Sequence, residues 1–263
     1  MLTKSTPHFL IIGAKRAGTT ALFDYIMQHK AFSPPARKEL NALFLPHYNP
    51  IEYAALFPAG QLSGEATPIY SITEIAAQRV RQLNPDIKII LLMREPVSRI
   101  LSEYPKQVSR GMVNKPLDEL IQDEAQRIKA LGAKDAIASL SYFNRHKVTS
   151  YLLRGHYADI LEVWGKHIDP TRLLPLQSEL LFEDPERTTR RVFDFLGVDQ
   201  QEGIQYKKIN STSNWIKGDK KHPPVSDETL EKIASYYEPE NQRLWSAYKK
   251  EIHWQTPTTF TGY

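Results

Sequence analysis

The chain has 263 residues, 41% hydrophobic and 24% charged, with a formal net charge of +4 and no cysteine. This is an ordinary globular composition, long enough for one large domain or two small ones, and it excludes a disulfide framework and thiolate metal sites. The mild basic balance suits an anionic ligand such as a nucleotide or acidic glycan, suits nucleic acid equally, and is matched by a plain solvated basic surface.

The N-terminus does not read as a signal peptide, because its apolar run, Phe9 to Ile12, is short and leads into a glycine loop. No stretch approaches the roughly 20 apolar residues of a membrane span. Absence of cysteine fits a cytoplasmic location.

Phe9 to Ile12 is a continuous apolar run ended by Gly13 and reads as a buried strand. Thr19 to Gln28 follows as a helix, with Ala21, Leu22, Tyr25 and Ile26 at helical spacing. Residues 30–50 hold four prolines and read as loop. A short strand is expected near Ser63 to Pro68, then a helix over Ser71 to Leu83. Ile87 to Met93 is the clearest second buried strand, and Pro96 sits where a helix begins. Helices are expected at 116–131 and Tyr151 to His167, a third buried strand at Arg172 to Gln177, and a helix at Pro185 to Leu196 stopped by Gly197. Asn210 to Pro224 is polar, basic and irregular, and Ser226 to Lys250 reads as a closing helix. Alternating strands and helices predict an α/β fold with a mostly parallel central sheet flanked by helices. No composition shift divides residues 1–263, which read as a single domain.

Gly13-Ala14-Lys15-Arg16-Ala17-Gly18-Thr19-Thr20 nearly fits the phosphate-binding pattern GxxxxGK[ST], and it lies between a strand and a helix as that pattern requires. Such a loop aims backbone N–H groups and a helix N-terminus at a phosphate. Thr19, however, occupies the lysine position, and the second strand runs into Arg94 where a magnesium-binding Asp would stand. The loop therefore reads as a phosphate site that works without a metal.

The segment FLIIGAKRAGTTALFDYI resembles the 5′-phosphosulfate loop of sulfotransferases that use 3′-phosphoadenosine-5′-phosphosulfate (PAPS). LLMREPVSRILSEY resembles their 3′-phosphate motif, with Arg94 and then Ser102 eight residues later. The likeness continues through GEATPIY (64–70), YLLRGHYADILEVW (151–164), LLPLQSELLFEDPERTTRRVFDFLGV (173–198) and KGDKKHPPVSDETL (217–230). Ala21 stands where cytosolic phenol and steroid sulfotransferases carry Trp, so the nearer resemblance is to the heparan-sulfate and Golgi-carbohydrate type and its bacterial relatives.

This resemblance implies a P-loop-like three-layer fold and transfer of a sulfuryl group from PAPS to an acceptor hydroxyl or amine, on a glycan or small alcohol. The product is 3′,5′-ADP, with no metal and no nucleic-acid partner. It also implies roles. Lys15, Arg16, Ala17, Gly18, Thr19 and Thr20 hold the 5′-phosphosulfate; Arg94 and Ser102 hold the 3′-phosphate. Arg16 or Lys15 is the catalytic cation. Glu39, in the KELNALF segment with Lys38, is the expected base, with His47 as its rival. Lys217, Gly218, Lys220 and Lys221 resemble a basic cofactor loop, and Trp215 is a candidate for stacking on adenine. Glu65, Thr67 and Pro68 are expected to line the cleft. Lys106 and Arg110 can meet an anionic acceptor, although a solvated basic face is the plainer reading. His146 and His156 read as structural. Two other functions fit less well: a metal-dependent nucleotide kinase or NTPase, and a catalytically degenerate nucleotide-binding module.

Overall fold

The computed structural model describes residues 6–206, 225–248, 252 and 254. In chain order its elements are β1 (Phe9–Gly13), α1 (Thr19–Met27), α2 (Pro50–Ala54), β2 (Gly64–Glu65), α3 (Glu74–Leu83), β3 (Lys88–Met93), α4 (Pro96–Ser109), α5 (Leu117–Leu131), α6 (Ala133–Ala138) and α7 (Leu140–His146). Then come α8 (Tyr157–Gly165), β4 (Leu173–Gln177), α9 (Ser178–Glu183), α10 (Pro185–Leu196) and α11 (Asp227–Tyr248).

The sheet has the order β2-β1-β3-β4, and every pairing in it is parallel. Leu10 pairs with Glu65 on one side and Ile89 on the other; Ile89 in turn pairs with Leu173. All five residues of β1 are buried, as are Ile89 to Met93 of β3, which is why both strands are unbroken apolar runs rather than alternating ones. The chain moves from β1 to β2 on one side, then crosses back to β3 on the other. Strand order thus reverses between β1 and β3, and in open parallel sheets the crevice outside the carboxyl ends at such a point is where ligands bind. Gly13 and Met93 end those two strands, so the loop after Gly13 and the turn at Arg94 meet there.

Two helices start later than the periodicity predicts. The helix expected from Ser71 begins at Glu74, because Thr73 is extended (φ −145°, ψ 117°) after a 3-10 turn at Tyr70–Ile72. The helix expected from Tyr151 begins at Tyr157. There the N–H groups of Leu152 and Leu153 donate to the buried Glu124 carboxylate at 2.7 and 2.9 Å. A 3-10 turn at Leu153–Gly155 follows, and the backbone leaves helical geometry at His156 (ψ 61°). Lys217, Gly218, Lys220, Lys221 and Trp215 lie outside the described residues. Among the described residues no helix is long and apolar enough to cross a membrane.

Candidate active site

A cavity of about 840 Å³ opens at the carboxyl ends of β1 and β3. The 13–18 loop forms its floor. Gly13 has no room for a side chain, since a Cβ there would come within 2.8 Å of Ser71. Gly18 has φ +90° and would put a Cβ 2.7 Å from Phe182 Cζ. Arg16 also lies in the left-handed region, at φ 73°, which costs a non-glycine residue roughly 1–2 kcal/mol. Contacts hold it there: Arg94 donates to the Arg16 carbonyl at 3.1 Å, and Arg16 Nε donates to Ser102 Oγ at 3.0 Å. Ser178 Oγ donates to the Ala17 carbonyl at 2.7 Å. Gly18 is the N-cap of α1 and offers no side-chain cap, so the helix N-terminus faces the cavity with its N–H groups open to an acceptor.

Arg94 is placed by β3 and fixed by Tyr157, whose hydroxyl donates to its carbonyl at 2.8 Å and accepts from its N–H at 3.2 Å. Glu95, the first carboxylate after β3, is buried; its two oxygens cap α4 by accepting from Val97 N–H at 2.9 Å and Ser98 N–H at 2.6 Å. Helix α4 then presents Ser98, Ser102 and Lys106, and its C-cap Arg110, to the cavity at a spacing of four. Lys106 and Arg110 are therefore cavity residues, not merely a solvated face.

The site is electropositive. Burial pushes the Lys106 ammonium down to about 8, helped by Arg16, Arg110 and Lys15 and opposed by Glu39. Lys15 is lowered by burial, with Glu103 opposing. Cations crowded so that they depress one another favour an anion between them. Arg16, Gly18, Thr19, Thr20, Arg94 and Ser102 all line this space, whereas Ala17 is buried beneath it.

Glu39 lines the cavity from the loop between α1 and α2. Lys38 Nζ donates to its carboxylate at 2.8 Å and to Thr20 Oγ1 at 2.9 Å, tying the loop to the start of α1. His47 is exposed and outside the cavity lining. Glu65 and Thr67 differ from expectation: both are fully buried and support the cleft from behind, while Pro68 and Ile69 line it. The Glu65 carboxylate accepts from Leu40 N–H (3.0 Å), Tyr53 hydroxyl (2.6 Å), Thr67 Oγ1 (2.5 Å) and Tyr70 hydroxyl (3.1 Å). Thr67 Oγ1 accepts from Asn41 N–H at 3.3 Å, and the Tyr70 hydroxyl from Ala42 N–H at 2.9 Å. These bonds hold the 38–43 segment, including Asn41 at φ 55°, and so place Glu39. His156 is buried against Asp159 (3.1 Å) and the Tyr236 hydroxyl (2.8 Å), as a structural group would be.

Sequence reasoning missed Ser98, Glu179 and Phe182 in the lining, and Glu103 behind it. The spacing of four back from Ser102 points to Ser98. No local signal marks the others.

A sulfotransferase-domain profile matches residues 6–243. The mouse heparan sulfate glucosamine 3-O-sulfotransferase 3B1 is 26% identical over 272 residues, covering 96% of this chain and 66% of the relative. The human 3B1 enzyme is 25% identical over 279 residues, with 96% and 66% covered. The chain thus spans just under two thirds of the length of these curated relatives. The crystal structure of a sulfotransferase from Alicyclobacillus acidocaldarius shares the fold with a TM-score of 0.71 at 22% identity, covering 94% of this chain and 97% of that one. A parallel sheet with a glycine loop on β1 and an arginine at the end of β3, matched over nearly its whole length, places this chain in the sulfotransferase family.

Proposed function

We propose that the protein transfers a sulfuryl group from PAPS to an acceptor hydroxyl and releases 3′,5′-ADP. PAPS supplies the sulfuryl group on a phosphosulfate anhydride. The observation that carries the reading is the meeting of the 13–18 loop and α4 at Arg16 and Ser102, in a cavity lined by five cations: Lys15, Arg16, Arg94, Lys106 and Arg110. The open N-terminus of α1, with Thr19 and Thr20, suits the 5′-phosphosulfate. Arg94 and Ser102 suit the 3′-phosphate, one as a planar fork and the other as a hydroxyl.

Within that arrangement Glu39 takes the acceptor proton as the acceptor oxygen bonds to sulfur. Arg16 stabilises the charge that gathers on the leaving phosphate oxygen as the sulfur–oxygen bond breaks. Arginine does so by charged hydrogen bonds, not by giving up its proton. The metal-free reading is supported by Glu95, whose carboxylate oxygens cap α4, and by Thr19, which stands at the position of an NTPase loop lysine.

For the acceptor we propose an anionic saccharide. The curated relatives named above are heparan sulfate glucosamine 3-O-sulfotransferases, and here Lys106 and Arg110 continue the cation set past Ser102 in the same cavity as Glu39, whose charge Lys106 feels. The test is turnover of radiolabelled PAPS, in excess EDTA, over a panel of sulfated glycans, neutral glycans and small alcohols. Transfer to sulfated glycans is the expected result. Failure to bind 3′,5′-ADP, together with no transfer to any acceptor, would sink the enzyme reading; transfer to small alcohols alone would remove the saccharide.

A further inference from the structure

Glu103 follows Ser102 on α4 and is fully buried, yet four groups converge on its carboxylate. Lys15 Nζ stands 3.0 Å from Oε1, Arg154 donates to the same oxygen at 2.6 Å, and Gln107 does so at 2.7 Å. Arg99 donates to Oε2 at 2.7 Å. Arg99 and Arg154 are themselves buried and anchored, to the carbonyls of Tyr151 and Lys147. These cations hold the Glu103 carboxyl down at about 2, against the burial that would raise it. Glu103 is therefore a fixed, ionised post, and Lys15 is the one partner it draws from the phosphate loop.

The geometry has two rungs. Lys15 meets Glu103, and the next residue of the loop, Arg16, meets Ser102, the preceding residue of α4. Arg16 holds a left-handed backbone that its side chain does not favour, so something must fix the loop on either side of it. Arg94 does this from the carbonyl side and the Lys15–Glu103 pair from the other.

We propose that Glu103 is a positioning residue for sulfuryl transfer. Through Lys15 it sets the height of the loop so that Arg16 reaches Ser102, and it occupies the Lys15 charge so that Arg16 is the loop cation offered to the phosphosulfate. Lys15 then acts through Glu103 and not on the transferred group. This rests on the assignment of Arg16 to the 5′-phosphosulfate.

The experiment is a double-mutant cycle on Lys15→Met and Glu103→Asp. The aspartate keeps the charge that Arg99 and Arg154 need, and thermal unfolding followed by circular dichroism confirms that each variant is folded. The readouts are calorimetric affinity for 3′,5′-ADP and the single-turnover rate of PAPS hydrolysis with water as acceptor. A misplacement near 1 Å costs up to about 10²-fold, so each single variant should lose about 10-fold or more in rate. The double variant should be no more than about 2-fold worse than the weaker single, because residues acting through one contact are not additive. Lys15→Arg, which can still reach Glu103, should recover most of the rate. Full additivity would mean that Lys15 meets the ligand directly and would overturn the proposal; wild-type rates in both singles would overturn it too. Arg16→Ala, measured alongside, separates the two ideas. Full activity there removes the Arg16 assignment and the proposal with it, whereas loss there with additive Lys15 and Glu103 effects defeats the proposal alone.

Discussion

Arg16 Nε donates to Ser102 Oγ across 3.0 Å, joining the loop after β1 to the helix after β3. A serine hydroxyl can accept that bond and still donate its own proton to a ligand oxygen. Ser102 can therefore serve the 3′-phosphate while it holds Arg16, and Arg94 reinforces both through the Arg16 carbonyl. Wild-type protein should bind 3′,5′-ADP well above 5′-AMP. Arg94→Ala should cut the 3′,5′-ADP affinity by about 10- to 100-fold, the worth of a charged hydrogen bond, and leave 5′-AMP much less affected. Isothermal calorimetry on the four combinations checks this, and equal wild-type affinities for the two nucleotides would contradict it.

Glu39 and His47 make different predictions because only Glu39 lines the cavity. Glu39→Gln keeps the shape and the bond from Lys38 but cannot take a proton. It should retain 3′,5′-ADP affinity and lose about 10²-fold or more in kcat. His47→Ala should stay near wild type. The opposite pattern in steady-state rates would transfer the base to His47.

The site was legible where chemistry and chain order coincide. A buried strand, a glycine loop and a helix are contiguous in sequence, so the 13–20 loop could be read directly, as could Arg94 at the end of a strand with no polar residue after Lys88. Glu103 was not legible. A single glutamate on an amphipathic helix reads as solvated, and its partner Arg154 lies 51 residues away. Glu65 was misplaced for a related reason. Its place in the cleft wall is what the family resemblance of GEATP implies, but the Tyr53 and Tyr70 hydroxyls, 12 and 5 residues away, turn its carboxylate inward.

That inward carboxylate leads to a stability prediction. Glu65 accepts from four donors in a site with no water access, so Glu65→Gln would set an amide N–H₂ against donors that need an acceptor. One or two unsatisfied buried donors cost about 1–3 kcal/mol each. The variant should melt several degrees lower. Because Leu40 and Asn41 hang from this cluster, it should also lose kcat through Glu39 while 3′,5′-ADP affinity changes little. Thermal unfolding and steady-state kinetics on the same preparation check both parts. An unchanged melting temperature would mean that the cluster is not the support for the 38–43 segment.

Lys106 gives the pH dependence. In the free protein its ammonium is pushed down to about 8 by burial and by Arg16, Arg110 and Lys15, with Glu39 pulling the other way. Below pH 8 the group is charged and ready for an anion; above it the charge is lost. An anion bound beside it stabilises the ammonium and raises its pKa again, so binding between about pH 8 and 10 must take up a proton. The unfolded chain keeps an ordinary lysine near 10.5, and so it binds more protons than the folded free protein over the same window. At this site the stability of the free protein therefore rises, not falls, as pH climbs from 8 toward 10, while its anion affinity falls. Titrating a sulfated oligosaccharide at pH 8.5 in two buffers of different ionisation enthalpy measures the proton directly. Uptake of part of a proton is expected in wild type and none in Lys106→Met, whose affinity should also be weaker and flat across this pH range. Equal uptake in both proteins would assign the titration to another group and place Lys106 outside the acceptor site.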